Sequence, residues 1–167
     1  MKKITITLLV LSGIISFSAC EKDDICVDGD TPLLIVRFYD MEDTTETKQV
    51  PGLQVNGLII GTDTLEILAN ASLDSIALPL RAAESNTSFL ISQTLSNPDT
   101  TLTNILTFSY EVQDKFVSRA CGFVANYDGL DATAVVGTME DSLWIRDIEI
   151  ITPLVENSTE AHVKIFH

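Results

Sequence analysis

Histidine is nearly absent from this chain, occurring only as His162 and His167 at its extreme end. Histidine is the side chain that exchanges protons most readily near neutral pH, so no serine- or cysteine-based triad can be assembled from these residues. His162 falls on an outward position of its expected strand and reads as an exposed residue. Cysteine is sparse too, three in all, with no paired-cysteine motif of the kind that holds zinc. Gly52, Gly57 and Gly61 lack the Lys and Ser or Thr that accompany a phosphate-cradling loop. Positive charge is equally short: 10 Lys plus Arg stand against 24 Asp plus Glu, a net charge of -14. Such a chain repels phosphate backbones, which argues against nucleic acid as a partner. Its acidity reads as a means to solubility.

What the chain does have is concentrated at its start. Lys2 and Lys3 precede an apolar run from Ile4 to Phe17, followed by Ser18, Ala19 and Cys20. A membrane-crossing helix needs roughly 20 apolar residues, so this shorter run reads as a cleaved export signal. The small residues before Cys20 resemble the lipobox of bacterial lipoproteins, although Phe17 replaces the usual Leu or Val. The alternative is an ordinary secretory signal cut near Ala19. The resemblance implies acylation of Cys20 and anchoring in a membrane. The following Lys22, Asp23 and Asp24 resemble the export signal of surface lipoproteins of the Bacteroidota, implying outward display on the outer membrane; a solvated acidic tether is the plainer reading. The organisation expected is a signal peptide over 1–19, an acidic tether over 20–31 and one domain over 32–167. Loss of Lys2 and Lys3 with the signal leaves 8 basic against 24 acidic residues, a mature net charge of -16.

With Cys20 acylated, Cys26 and Cys121 remain, an even number in an exported chain. A disulfide between them suits an oxidising compartment, while two buried thiols are the alternative. Short β-rich runs recur between Gly, Pro, Asn and Asp clusters, the punctuation of an all-β domain. Leu34, Val36 and Phe38 alternate, as do Ile76, Leu78 and Leu80; Pro79 marks an edge strand because it cannot donate to a ladder. Val55 with Ile59 and Phe89 with Ile91 mark two more strands. The clearest hairpin joins Ile105–Val112 to Phe116–Tyr127 through a turn at Gln113, Asp114 and Lys115. It puts Leu106, Phe108 and Tyr110 on one face and turns Val117, Cys121 and Phe123 inward, although the Phe116 to Cys121 spacing also fits a helix. Leu143–Ile151 and Ala161–Phe166 complete the series. The expected fold is a two-sheet antiparallel sandwich with Greek-key connections of the immunoglobulin-like kind, with a small β-barrel as the alternative.

Two stretches carry a further resemblance. Cys20, Glu21, Lys22, Asp23, Asp24, Ile25 and Cys26, with the strand ending Arg37, Phe38, Tyr39, Asp40, form the first. Ser118, Arg119, Ala120, Cys121, Gly122 and Phe123 form the second. Together they resemble a family of Bacteroidota lipoproteins known only as a domain of unknown function. The resemblance implies a small lipidated envelope protein with paired cysteines and brings no activity.

Asp28 and Asp30, or Asp40, Glu42 and Asp43, offer hard oxygen ligands, but neither set has calcium-loop spacing, so no metal and no cofactor is expected. Asp followed by Ser or Thr and a small or aliphatic residue occurs five times, where composition predicts about one. This resembles the O-glycosylation acceptor of exported Bacteroidota proteins and implicates Thr44, Thr64, Ser75, Thr100 and Ser142; turn chemistry accounts for it equally. The functional expectation is a non-catalytic module that binds a glycan, a peptide or an envelope partner. A structural envelope component and a carboxylate-pair hydrolase are the alternatives.

Acylation of Cys20 has a direct consequence. Cys20→Ser keeps the size of the residue and removes the thiol, and the variant is expected to move from the detergent phase to the aqueous phase on phase partitioning. Equal membrane association of the two proteins would contradict the anchor.

Overall fold

The computed structural model describes residue 26 and residues 29–59, 63–95, 100–137 and 142–167. The expected signal peptide, Cys20 and the run Lys22, Asp23, Asp24 lie outside the described residues. The described chain is all β, with no helix: β1 (Leu34–Tyr39), β2 (Val50–Leu58), β3 (Thr64–Leu73), β4 (Ser75–Leu78), β5 (Asn86–Thr94), β6 (Thr101–Ser118), β7 (Gly122–Val136), β8 (Asp147–Ile150) and β9 (Val163–Phe166). They form two sheets, ordered β4-β1-β9-β8 and β3-β2-β5-β6-β7, that do not close into a barrel.

The core is the space between the two inner faces. Period-two alternation supplies it: Leu34, Val36 and Phe38 from β1, Ile76 and Leu78 from β4, and Val163 and Ile165 from β9 face Leu53, Val55, Phe89, Ile91, Leu106 and Phe108. Tyr110 and Tyr127 meet edge to face, with ring centres 4.9 Å apart. Their hydroxyls donate to the carbonyls of Arg81 and Leu80, which satisfies the polar ends of two buried rings.

The structure departs from the sequence-based expectations at several places. Strand β3 was not foreseen, because Leu65, Glu66, Ile67, Leu68, Ala69 does not alternate, and its pairing with β2 shifts register repeatedly. Asp128 and Gly129 do not end a strand. They form a bulge inside β7, where Ser109 pairs with Asp131 but Glu111 pairs with Asp128, and Gly129 has a φ of 63°. The bulge moves the inward positions from Ala125 and Tyr127 to Leu130, which is why the alternation breaks there.

The β6–β7 hairpin does not turn at Gln113–Lys115. It runs on to Ser118 and turns through Arg119, Ala120 and Cys121, with Gly122 at a φ of 71°. Phe123 is therefore 67% exposed rather than inward, and Val117 and Cys121 are only half-buried. The expected strand Leu143–Ile151 shrinks to β8, and its first half is a crossing between sheets. Finally, all strand pairs but one are antiparallel; β9 lies parallel to β1, with Val36 opposite Val163.

Cys26 and Cys121 are bridged, with Cα atoms 4.8 Å apart at a sequence separation of 95. The bond ties the segment before β1 to the end of the long hairpin. In the chain-entropy view, closing a loop of this length stabilises by up to about 4 to 5 kcal/mol, and typically about 2 to 4. The double variant Cys26→Ala/Cys121→Ala is expected to remain folded with a denaturant midpoint lowered by a corresponding amount. An unchanged midpoint would show that the bridge contributes nothing to stability.

Candidate functional site

At the end of the sandwich opposite the hairpin turn, the sheets splay around a cavity of about 370 Å³. Five elements meet there. Lys48 and Gln49 lead into β2, Gln93 lies near the end of β5, Leu102 faces Gln93 from the start of β6, Trp144 and Arg146 come from the crossing before β8, and His167 follows β9. This volume lies at the lower end of the range of small-molecule pockets, about 300 to 1,000 Å³.

The crossing is held by Asn104, which is fully buried. Its Oδ1 accepts from the backbone N–H of Trp144 at 3.0 Å and of Ile145 at 3.2 Å, while its Nδ2 donates to the carbonyls of Thr103 and Ser142. Trp144, 3% exposed, is thereby fixed with its ring 6.3 Å from Phe38 and edge-on to His167 at 5.7 Å. The indole N–H points to the carbonyl of Ile91 at 3.4 Å. The imidazole of His167 donates through Nε2 to the carbonyl of Lys48 at 3.3 Å. Burial pushes its pKa below the usual 6.5, a shift opposed by that hydrogen bond, so the ring is a neutral wall of the cavity.

The polar groups around the opening are hydrogen-bonding and cationic. Lys48 Nζ pairs with Asp40 at 3.2 Å and donates to the His167 carbonyl. The Arg146 side chain is exposed and makes no ion pair among the described residues. Gln93, 8% exposed, lines the cavity beside them. A carboxamide both donates and accepts, so one that lines a cavity is suited to a polar occupant.

The expected site residues are dispersed. Thr44 and Thr64 are exposed, Ser75 and Thr100 are half-buried within or beside strands, and Ser142 is exposed at the cavity rim. The acidic cluster folds into local turns: Asp40 accepts from the Glu42 N–H, and Asp43 accepts from both the N–H and the hydroxyl of Thr45. These hydrogen bonds, with Lys48 beside Asp40, hold both carboxyls below the usual range. They stay ionised, as turn acceptors do and as a general acid does not. Among the described residues no group of three His, Cys, Asp or Glu side chains is placed to hold a metal.

His162 is not outward. It is 2% exposed and extends the β1–β9 ladder with its side chain: Nδ1 accepts from the Ile35 N–H at 3.1 Å while its own N–H donates to the Ile35 carbonyl. The residues that build the cavity escaped sequence reasoning. The single Trp of the chain was the one available signal for them.

The described residues form a β-sandwich with a cavity at one end and its longest hairpin at the other. Residues 52–167 match the model of a family of unknown function, DUF6452, and the chain belongs to that family. No curated protein and no solved structure matches it.

Burial holds the His162 pKa below 6.5, with the Glu160 carboxylate opposing the shift. The folded state therefore binds a proton less readily than the unfolded chain. This contribution to stability is complete above pH 6.5 and is lost as pH falls through the lowered value. Protonation at Nδ1 also removes the acceptor for Ile35. The thermal midpoint is expected to fall between pH 7 and pH 5, and to fall less in His162→Asn, which retains an acceptor and does not titrate. Identical pH profiles of the two proteins would refute this.

Proposed function

We propose that this protein is a lipid-anchored, non-catalytic module of the outer-membrane surface that binds a glycan in the cavity lined by Gln93, Trp144 and Arg146. The convergence of the Gln93 side chain, the Trp144 ring and the cations Lys48 and Arg146 on one cavity carries the reading. A carboxamide both donates and accepts, as sugar hydroxyls do, and Trp144, Leu102 and Pro51 supply apolar wall beside it. Lys48 and Arg146 bring cations to this opening on a chain of strong negative charge, favouring an acidic sugar over a neutral one, with Arg146 suited to a bidentate hold on a carboxylate. The anchor rests on the series Lys2, Lys3, apolar run, Ser18, Ala19, Cys20, and display on the run Lys22, Asp23, Asp24. The disulfide supports the orientation. It ties the segment just after Cys20 to the end of the domain remote from the cavity, since Leu102 and Ser118 stand 16 residues apart on β6, roughly 50 Å of strand. The cavity thus opens away from the membrane.

Purified protein screened on a glycan array is expected to retain uronic-acid glycans in preference to their neutral counterparts. Gln93→Leu, which preserves shape and removes the amide, is expected to weaken that binding about tenfold, ~1.4 kcal/mol. Arg146→Ala is expected to abolish the acidic preference. Retention of no glycan, or unaltered binding by Gln93→Leu, would refute the assignment.

A further inference from the structure

The end of the β6–β7 hairpin runs past the sandwich and exposes apolar surface on both strands. Phe116 and Phe123 face each other across it, with ring centres 5.3 Å apart, and are 56% and 67% exposed. Val117 and Val124, half-buried, lie on the other face of the hairpin. Two exposed aromatic rings in contact are not a core remnant, because the sandwich core ends at Ala125 and Tyr110.

The turn itself is basic, although Asp114 precedes it and Asp30 and Glu156 stand beside it. From Lys115 to Val124 there are two basic residues, Lys115 and Arg119, and no acidic one. Both are exposed, Lys115 lying 3.9 Å from Glu156. Cys121 sits in the same turn and is bonded to Cys26. Cys26 lies six positions past Cys20, a reach of at most about 20 Å. A lipid on Cys20 therefore holds these aromatic rings close to the bilayer, whichever way the connecting residues run.

We propose that the hairpin end Lys115–Val124 docks on the lipid bilayer to which the protein is anchored, Phe116 and Phe123 entering the boundary between headgroups and acyl chains while Lys115 and Arg119 meet anionic headgroups. Aromatic side chains favour that boundary and basic ones its surface charge. The acidic body is repelled by the same surface, so insertion and repulsion together stand the sandwich on its hairpin with the cavity outermost. This inference rests on the lipid anchor proposed above and goes beyond it, since an anchor alone leaves the domain free to tumble on its tether.

Depth-dependent quenching tests it. Lipidated protein carrying Phe116→Trp or Phe123→Trp is reconstituted into phosphatidylcholine vesicles with phosphatidylglycerol, with and without brominated acyl chains. The native Trp144 is buried and supplies a constant background. Leu65→Trp, at a 60% exposed position of the far edge strand β3, is the control. The expected result is blue-shifted emission that brominated lipid quenches several-fold at Phe116→Trp and Phe123→Trp and leaves unchanged at Leu65→Trp. Mass spectrometry of the same samples reports acylation of Cys20. Acylated protein with unquenched hairpin variants, or with all three quenched equally, overturns the docking and leaves the anchor standing. Protein without acyl chains refutes the anchor, and the docking with it.

Discussion

The hydrogen bonds of Asn104 are the constraint on which the open end of the sandwich depends. The segment from Ser142 to Arg146 carries the chain from one sheet to the other, and at Trp144 and Ile145 it is buried without a strand beside it. Buried backbone N–H groups left unpaired cost about 1 to 3 kcal/mol each. One carboxamide oxygen accepts from both of them, and the same amide donates to the Ser142 carbonyl. A β-strand could not do this, because it would close the gap between the sheets that the cavity occupies. The side chain therefore substitutes for a ladder, and Trp144 is placed between Phe38 and His167 as a consequence.

The two ends of the molecule are specialised by the same architecture. β6 and β7 are long enough to serve the core in their middle, the cavity at one end and an exposed hairpin at the other. The bulge at Gly129 keeps the long β7 useful to the core, since it changes which residues point inward midway along the strand. Near it, Tyr127 and Leu130 bond to the Val155 and Pro153 backbones. The disulfide acts at the hairpin end, where little else restrains the chain.

Much of the sandwich was legible in the sequence where one face is buried and the other wet. Leu34, Val36 and Phe38, or Leu106, Phe108 and Tyr110, announce themselves by period two, and all are inside. Legibility failed where that condition lapses. β3 is an edge strand with most of its residues exposed on both faces, so it has no alternation to read. At the hairpin end Phe116 and Phe123 pack on each other outside the core, and the outward Phe123 imitates a core residue in the sequence. His162 alternates as an outward residue, yet the Ile35 N–H needs an acceptor and the imidazole supplies it. The candidate site was not legible at all, because Lys48, Gln93, Arg146 and His167 come from four separate stretches and none forms a motif.

By itself the sequence determined the things that depend on local pattern and composition: an all-β chain, two inner faces and a strong negative charge. Tertiary structure alone decided which strands became neighbours, that β9 lies parallel to β1, where the hairpin turns and which side chains meet at the open end. The division has a physical reason. Alternation is written into neighbouring residues by the geometry of a strand, whereas a cavity is the space left when distant strands have satisfied their hydrogen bonds and filled their core.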